Sequence, residues 1–366
     1  METEQLLEAE QLIKEKKTFP SISIIIPTNT KYPHFKHDEE KLKLVMNKVE
    51  EKILDEFPPS IADPLVSKLS KVYQEIDFTH LSKGLAIYVS REQEKIFHLP
   101  FSVVEKIIID KSFEIRDLLY ATKHTQDYLV LLISSNGNKL LKGFDRSLEE
   151  IRLIDAPKDV KEWKIDLPSK VGNFTDAEDV KEETLEKYLR DIDKSLSAEL
   201  KTLNFPVVIC SAEQIISKYK SITKNQKSIL DYVTGNFEHA TIPEILAKVA
   251  VVFDKKNARE QEEYLNLLDD AIGKDNFASG INEVWRVAME QRGRILLVEK
   301  NYSCPGKYGK TKYTLVTKDI DKDSMYTLKD AVDDLIEVVL KFGGDVVFVE
   351  DGKLMDHNRI ALITYF

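Results

Sequence analysis

The chain has 366 residues, 42% apolar and 32% charged, with a formal net charge of −10. That length suits two or three domains with real cores. The acid excess excludes a general nucleic-acid coat protein, which is basic overall, while leaving room for local basic contacts. No apolar run approaches a membrane span, and Met1 to Gln5 is acidic, with no apolar core of signal length. Cys210 and Cys304 make no disulfide framework, so a reducing, cytoplasmic setting is expected.

In chain order, Thr3 to Lys16 reads as an amphipathic helix with Leu6, Leu7, Ala9, Leu12 and Ile13 inward. Ser21 to Ile26 reads as a buried strand stopped by Pro27. Thr28 to His37 is a polar loop containing Lys31, His34, Lys36 and His37. A long helix follows, apolar at Leu42, Leu44, Val45, Val49, Ile53 and Leu54, until Pro58-Pro59 breaks it. Another helix covers Ala62 to Gln74. Strands at Gly84–Val89, Lys95–Leu99 and Val103–Ile109 complete an α/β first domain, 1–122. Polar Thr122 to Gln126 marks the boundary.

The middle domain, 123–240, opens on the fully apolar strand Tyr128–Ile133. Asn136-Gly137 is a hairpin signal, Lys139–Gly143 returns, and Ile151–Ile154 is a third antiparallel strand. Asp159 to Thr175 reads as a loop holding Trp163, Pro168, Gly172 and Asn173. A helix at Asp176–Leu203, a strand at Pro206–Cys210, a short helix at Glu213–Tyr219 and a strand at Leu230–Val233 predict a mixed sheet covered by helices. Ile242 to Ala271 is helical, with a break expected near Asp254-Lys255, and leads into the third domain, 241–366. There a helix at Gly280–Gln291, strands at Arg294–Glu299 and Lys312–Thr317, and a helix striped from Leu328 to Phe342 come in turn. Gly343 is a natural left-handed cap. Val346–Val349, the Asp351-Gly352 turn and Ile360–Phe366 close an α/β sandwich.

Three basic stretches stand against the acidic background. No acid interrupts Lys300 to Lys318, where Lys300, Lys307, Lys310 and Lys312 accompany Tyr308. Lysines neutralise phosphates and tyrosine faces stack on exposed bases. Lys218, Lys220, Lys224 and Lys227 form a second acid-free group; Lys31, His34 and Lys36 belong to a third. The competing explanation is the same for all three: charge runs are ordinarily solvated faces. His34 and His37 lack a third ligand, and Asp319–Asp323 lacks the sixth-position glycine of a calcium loop, so no metal is expected. The first middle-domain strand carries no carboxylate for nuclease metals. No nucleophile elbow, phosphate-binding glycine loop or dinucleotide fingerprint occurs, and no cofactor is expected.

Taken together, three patterns resemble the bacterial homologues of archaeal and eukaryotic peptide-chain release factors and of Pelota. They are Ser23 to Thr28 with its following loop and helix, Leu129 to Lys142 with the later strands and helices, and Phe342 to Val347 with Asp351-Gly352 and Ile360 to Tyr365. The resemblance spans nearly the whole chain. It implies an α/β N-terminal domain, a ribonuclease H-like middle domain, and a C-terminal domain related to kink-turn-binding ribosomal proteins. It also implies a ribosome ligand, with a translational GTPase as a further partner, and neither DNA nor membrane. Release factors carry Gly-Gly-Gln on the middle domain; this chain has none, and its one Gly-Gly pair, Gly343-Gly344, precedes Asp345. The corresponding loop reads Lys170 to Phe174, with Gly172, Asn173 and Phe174. The resemblance therefore implies a non-catalytic relative acting in ribosome hibernation or rescue. Two other readings stay open: a peptidyl-tRNA hydrolase in which Asn173 orients water, and a signalling adaptor without an RNA partner.

Overall fold

The computed structural model describes residues 3–14, 19–29, 35–134, 137–144, 147–153, 156–157, 174–320 and 327–366. The chain divides into two compact units. One joins Met1–His124 to Ala258–Phe366, and the other is Thr125–Asn257. Among the described residues, no helix is long and apolar enough to cross a membrane.

The first unit begins with α1 (Thr3–Lys14), β1 (Ser21–Pro27), α2 (Phe35–Glu56) and α3 (Pro59–Glu75). It continues with β2 (Gly84–Val89), β3 (Glu94–Leu99), β4 (Lys106–Asp110) and α4 (Arg116–His124). The strands form one antiparallel sheet in the order β3-β2-β1-β4. Strand side chains alternate between faces, so Ile22, Ile24, Ile26, Leu85, Ile87 and Val89 meet the apolar stripes of α2 and α3. Burying each such side chain contributes about 1.5–3 kcal/mol. One expectation is corrected here: the strand starts at Lys106 rather than Val103. The polar stretch Thr122 to Gln126 begins as the end of helix α4 and contains the division between the two units.

The second unit holds β5 (Asp127–Ser134), β6 (Gly137–Phe144), β7 (Ser147–Ile151), α5 (Phe174–Leu203), β8 (Val207–Ser211), α6 (Glu213–Ile222) and β9 (Ile229–Thr234). Its sheet order is β7-β6-β5-β8-β9. β6 is antiparallel to both neighbours, while β8 runs parallel to β5 and β9. This is the ribonuclease H-like strand order implied by the resemblance. β5 is apolar from Tyr128 to Ile133 because both its faces are covered. Leu129, Leu131 and Ile133 meet Tyr188, Leu189, Ile192 and Leu196 of α5. Tyr128, Val130 and Leu132 meet Ile245, Val249 and Val252. Tyr128 faces Gly143 across the ladder, and a Cβ on Gly143 would lie 2.3 Å from the tyrosine ring. The third strand ends, rather than begins, at Ile151.

α7 (Ile242–Ile272) starts in the second unit and ends in the first as one unbroken helix. The expected break at Asp254-Lys255 is absent because both side chains are exposed and leave the backbone ladder undisturbed. The first unit then resumes with β10 (Phe277–Ser279), α8 (Ile281–Met289), β11 (Gly293–Glu299), β12 (Gly306–Tyr308), β13 (Leu315–Val316), β14 (Thr327–Leu328), α9 (Ala331–Lys341), β15 (Asp345–Val349) and β16 (Ile360–Thr364). A second sheet has the order β10-β16-β11-β15, and β13-β12-β14 form a small third one. Leu297, Ala361 and Ile363 pack on Leu268 and Ala271 of α7. Gly343 has φ +80°, the left-handed cap read from the sequence. The expected strand over Lys312–Thr317 shrinks to Leu315–Val316, and its partner β12 lies in the stretch read as loop.

A buried polar cluster ties the two stretches of the first unit together. Asp330 caps α9, accepting from Val332 N at 3.0 Å, and also accepts from Cys304 N and the Arg116 guanidinium. Arg116 reaches the Tyr302 carbonyl as well. In return, Asp333 accepts from the Ile115 and Arg116 amides at 3.1 and 2.8 Å, capping α4. Lys106 bonds Glu114 and Asp117 at 2.8 Å each. Burial works against the Lys106 charge, but Glu114 and Asp117 more than offset it and hold its pKa above the usual lysine value. Removing one member of a buried pair leaves an unneutralised charge, so Arg116→Ala should destabilise the first unit by about 3–5 kcal/mol. Trp285 fluorescence during urea unfolding of a Trp163→Phe background measures this; an unshifted midpoint would show the cluster to be dispensable.

Candidate nucleic-acid interface

The basic stretch of the first unit is a hairpin built on β12 and β13. Lys307 pairs with Val316, and Tyr308 with Leu315. At its tip Gly309 N donates to Thr314 O at 2.7 Å, and Thr314 N to Thr311 O at 3.1 Å. A Cβ on Gly309 would sit 2.8 Å from Thr314, so this approach needs glycine. Trp285 of α8, fully buried, donates its indole N–H to Lys312 O at 3.0 Å. Its ring meets Tyr308 edge-on at 5.7 Å. The hairpin is thereby fixed to the second sheet's helix layer. Outward it presents Lys307, Lys310 and Lys312, all exposed and without an ion pair among the described residues. Tyr308 and Tyr313 are 46% and 41% exposed, with Lys312 over the Tyr313 ring at 5.0 Å. Cations beside open tyrosine edges suit phosphates flanked by unstacked bases.

Lys300 does not join this surface. Its ammonium lies over Tyr120 at 4.2 Å and Phe101 at 5.2 Å. Tyr120 in turn stacks on His124 at 4.0 Å. Burial, with Lys300 and Lys123 nearby, pushes the His124 pKa down despite its bond to Tyr120 O, so the ring is neutral at pH 7. Next to Lys300, Glu299 is a buried acceptor. It takes Gly352 N at 2.8 Å, Leu354 N at 3.0 Å and Arg359 Nε at 2.6 Å. Burial disfavours its charge, but those donors prevail and hold its pKa below the usual glutamate value. Arg359 also reaches Asp351, which accepts from Asn301. Acids thus line the base of a loop that has none in its own sequence.

The second lysine group splits in two. Lys218 bonds Glu182 at 2.5 Å and lies 3.5 Å from Glu186 of α5, so its charge is offset by residues more than 30 positions away. Lys220, Lys224 and Lys227 are exposed and make no ion pair among the described residues. Lys220 covers the Tyr232 ring at 4.5 Å. In the third group, Lys36 is exposed on the first turn of α2, whereas Lys31 and His34 lie outside the described residues.

Residues 127–292 match the family described as bacterial archaeo-eukaryotic release factor family 3. That match covers under half of the chain. Solved structures resemble the chain at low identity. Ribosome-bound archaeal Pelota shares 13% identity, covering 100% of this chain and 95% of that one, with a TM-score of 0.43. Archaeoglobus fulgidus Pelota shares 15%, covering 77% and 79%, at 0.36. An archaeal translation termination factor shares 11%, covering 100% and 99%, at 0.27. Comparison with curated proteins gives no match.

The loop with Gly172 and Asn173 lies outside the described residues, and Phe174 opens α5. Among the described residues no group of three His, Cys, Asp or Glu could hold a metal. Burial pushes the Cys210 thiol up to about 12, and burial with Asp330 raises that of Cys304, so neither suits a nucleophile at neutral pH. Sequence reasoning missed Trp285 as the hairpin's anchor and Asp193, a buried acceptor beneath the Lys224 turn. An alternation of lysine and tyrosine could flag the hairpin, but nothing local signals either support.

Because the folded pKa of Glu299 is depressed, its stabilisation is present above the usual glutamate value of 4.5 and lost as pH falls through the folded value. Melting temperature followed from pH 7 toward pH 3 should therefore fall more steeply for wild type than for Glu299→Gln. Parallel curves would contradict this role.

Proposed function

We propose that the protein binds the ribosome in the cytoplasm as a release-factor relative without hydrolytic chemistry, acting in hibernation or rescue. A translational GTPase is its further partner. The match of residues 127–292 to a release-factor family supports a translational role, and the missing Gly-Gly-Gln supports binding over bond cleavage. The single observation that carries the RNA contact is the hairpin. Three exposed lysines, without an ion pair among the described residues, and two open tyrosines sit on a rigid support in a chain of net charge −10. Such a surface gives a salt-sensitive contact, because bound lysines release the counterions of phosphates.

Co-sedimentation with purified bacterial ribosomes tests this. Wild type should pellet at low salt and be released as salt rises. The triple variant Lys307→Glu, Lys310→Glu, Lys312→Glu should bind about 10- to 100-fold more weakly. Wild type left in the supernatant at low salt, or a triple variant that pellets equally, would overturn the proposal. Peptidyl-tRNA incubated with wild type should stay intact; hydrolysis that drops in Asn173→Ala would favour the enzyme instead.

A further inference from the structure

We propose that the Lys224–Lys227 turn of the second unit is a phosphate-binding site for single-stranded RNA, with Asp193 and Asn225 as its positioning residues. The inference rests on the ribosome-binding reading for the source of that RNA, but its chemistry stands on the turn.

The turn joins α6 to β9, and it is held from beneath. Asp193 of α5 is 4% exposed. It accepts from Tyr219 Oη at 2.7 Å, Thr223 Oγ1 at 2.6 Å, Lys224 N at 2.9 Å and Asn225 Nδ2 at 2.9 Å. No cation pairs with it among the described residues; four donors surround its carboxyl group instead. Burial, together with Asp193, keeps the Tyr219 hydroxyl protonated and therefore donating. Asn225 is spent inward. Its amide N also bonds Asp193 O at 3.0 Å, and its amide O accepts from Ser197 Oγ at 3.0 Å. Ser228 N closes the turn on Asn225 O at 2.9 Å.

With Asn225 pointing in, Lys224, Gln226 and Lys227 point out, all exposed. Gln226 accepts from the Tyr232 hydroxyl at 2.8 Å, and Lys220 stands over the same ring. Lys224, Gln226 and Lys227 thus stand on a turn that need not be ordered on binding, and Gln226 links it to the Tyr232 ring of β9, which Lys220 of α6 covers. The cations match phosphates, and the amide and ring edge match a base. The acidic excess of the chain disfavours a polyanion elsewhere, which leaves this patch and the β12–β13 hairpin open to it. Lys218 lies outside the site: it is already bound to Glu182 and Glu186.

The experiment uses the full chain and a fluorescein-labelled single-stranded oligoribonucleotide, with anisotropy read over a KCl series. Lys224→Gln with Lys227→Gln should lower the slope of log affinity against log salt by about one to two. Lys218→Gln should leave the slope unchanged. Asp193→Asn keeps every cation, so its slope should equal that of wild type while affinity drops about fivefold at each salt. An unchanged slope in the double lysine variant overturns the site. It is overturned equally by a wild type that ignores the oligonucleotide, or by an acidic peptide that competes as well as RNA. Wild-type affinity in a folded Asp193→Asn removes the positioning role; should that variant not fold, the lysine variants still decide. Ribosome pelleting with an unmoved slope sinks this site alone. A moved slope without pelleting sinks the ribosome reading alone.

Discussion

Two carboxylates and one guanidinium make a single body out of the chain's first 124 and last 109 residues. Asp330 and Asp333 stand on the first turn of α9, where the helix's free N–H groups favour negative charge. Asp330 receives Arg116, and Asp333 caps α4, so each helix start is completed by the other's residues. Arg116 then reaches the Tyr302 carbonyl and fixes the strand end from which the basic hairpin departs. The arrangement is demanding because Lys106 and Arg116 face Glu114, Asp117, Asp330 and Asp333 in a largely dry setting. Geometry must supply what charge balance does not.

What could be read from the sequence was what local periodicity controls. β5 declared itself by an uninterrupted apolar run, α2 and α3 by their stripes, and Gly343 by its position past a helix end. What escaped was whatever depends on a distant partner. α4 has good apolar residues in Leu118, Leu119 and Ala121, but its cap is Asp333, 217 residues away from Arg116. β12 is three residues long and exists because β13 and β14 pair with it. α7 runs unbroken through Asp254-Lys255, where the charged side chains are only the wet side of a helix.

The same limit governs the surfaces. Lys218 and Lys224 belong to one acid-free run, yet α5 brings two glutamates to the ammonium of the first and, to the second, only the Asp193 carboxylate, which accepts from its backbone amide. Lys300 looked like part of a basic loop, but two aromatic rings already occupy its charge. Of the lysines singled out by sequence, those at 36, 220, 224, 227, 307, 310 and 312 stay exposed. Asp193 gave no signal, since an acid in an amphipathic helix ordinarily faces water. Here its neighbour Ile192 is buried and the helix turns Asp193 under the loop.

The second unit interrupts the first in sequence, between His124 and Ala258. During synthesis this sets an order. The sheet of β1 to β4 has all its strands once Asp110 has emerged, and the inserted unit follows with a complete sheet of its own. Ile115, by contrast, must wait 218 residues for Asp333 before its amide is satisfied inside the protein. The nascent chain therefore carries a finished middle piece beside an unfinished outer one until α9 arrives.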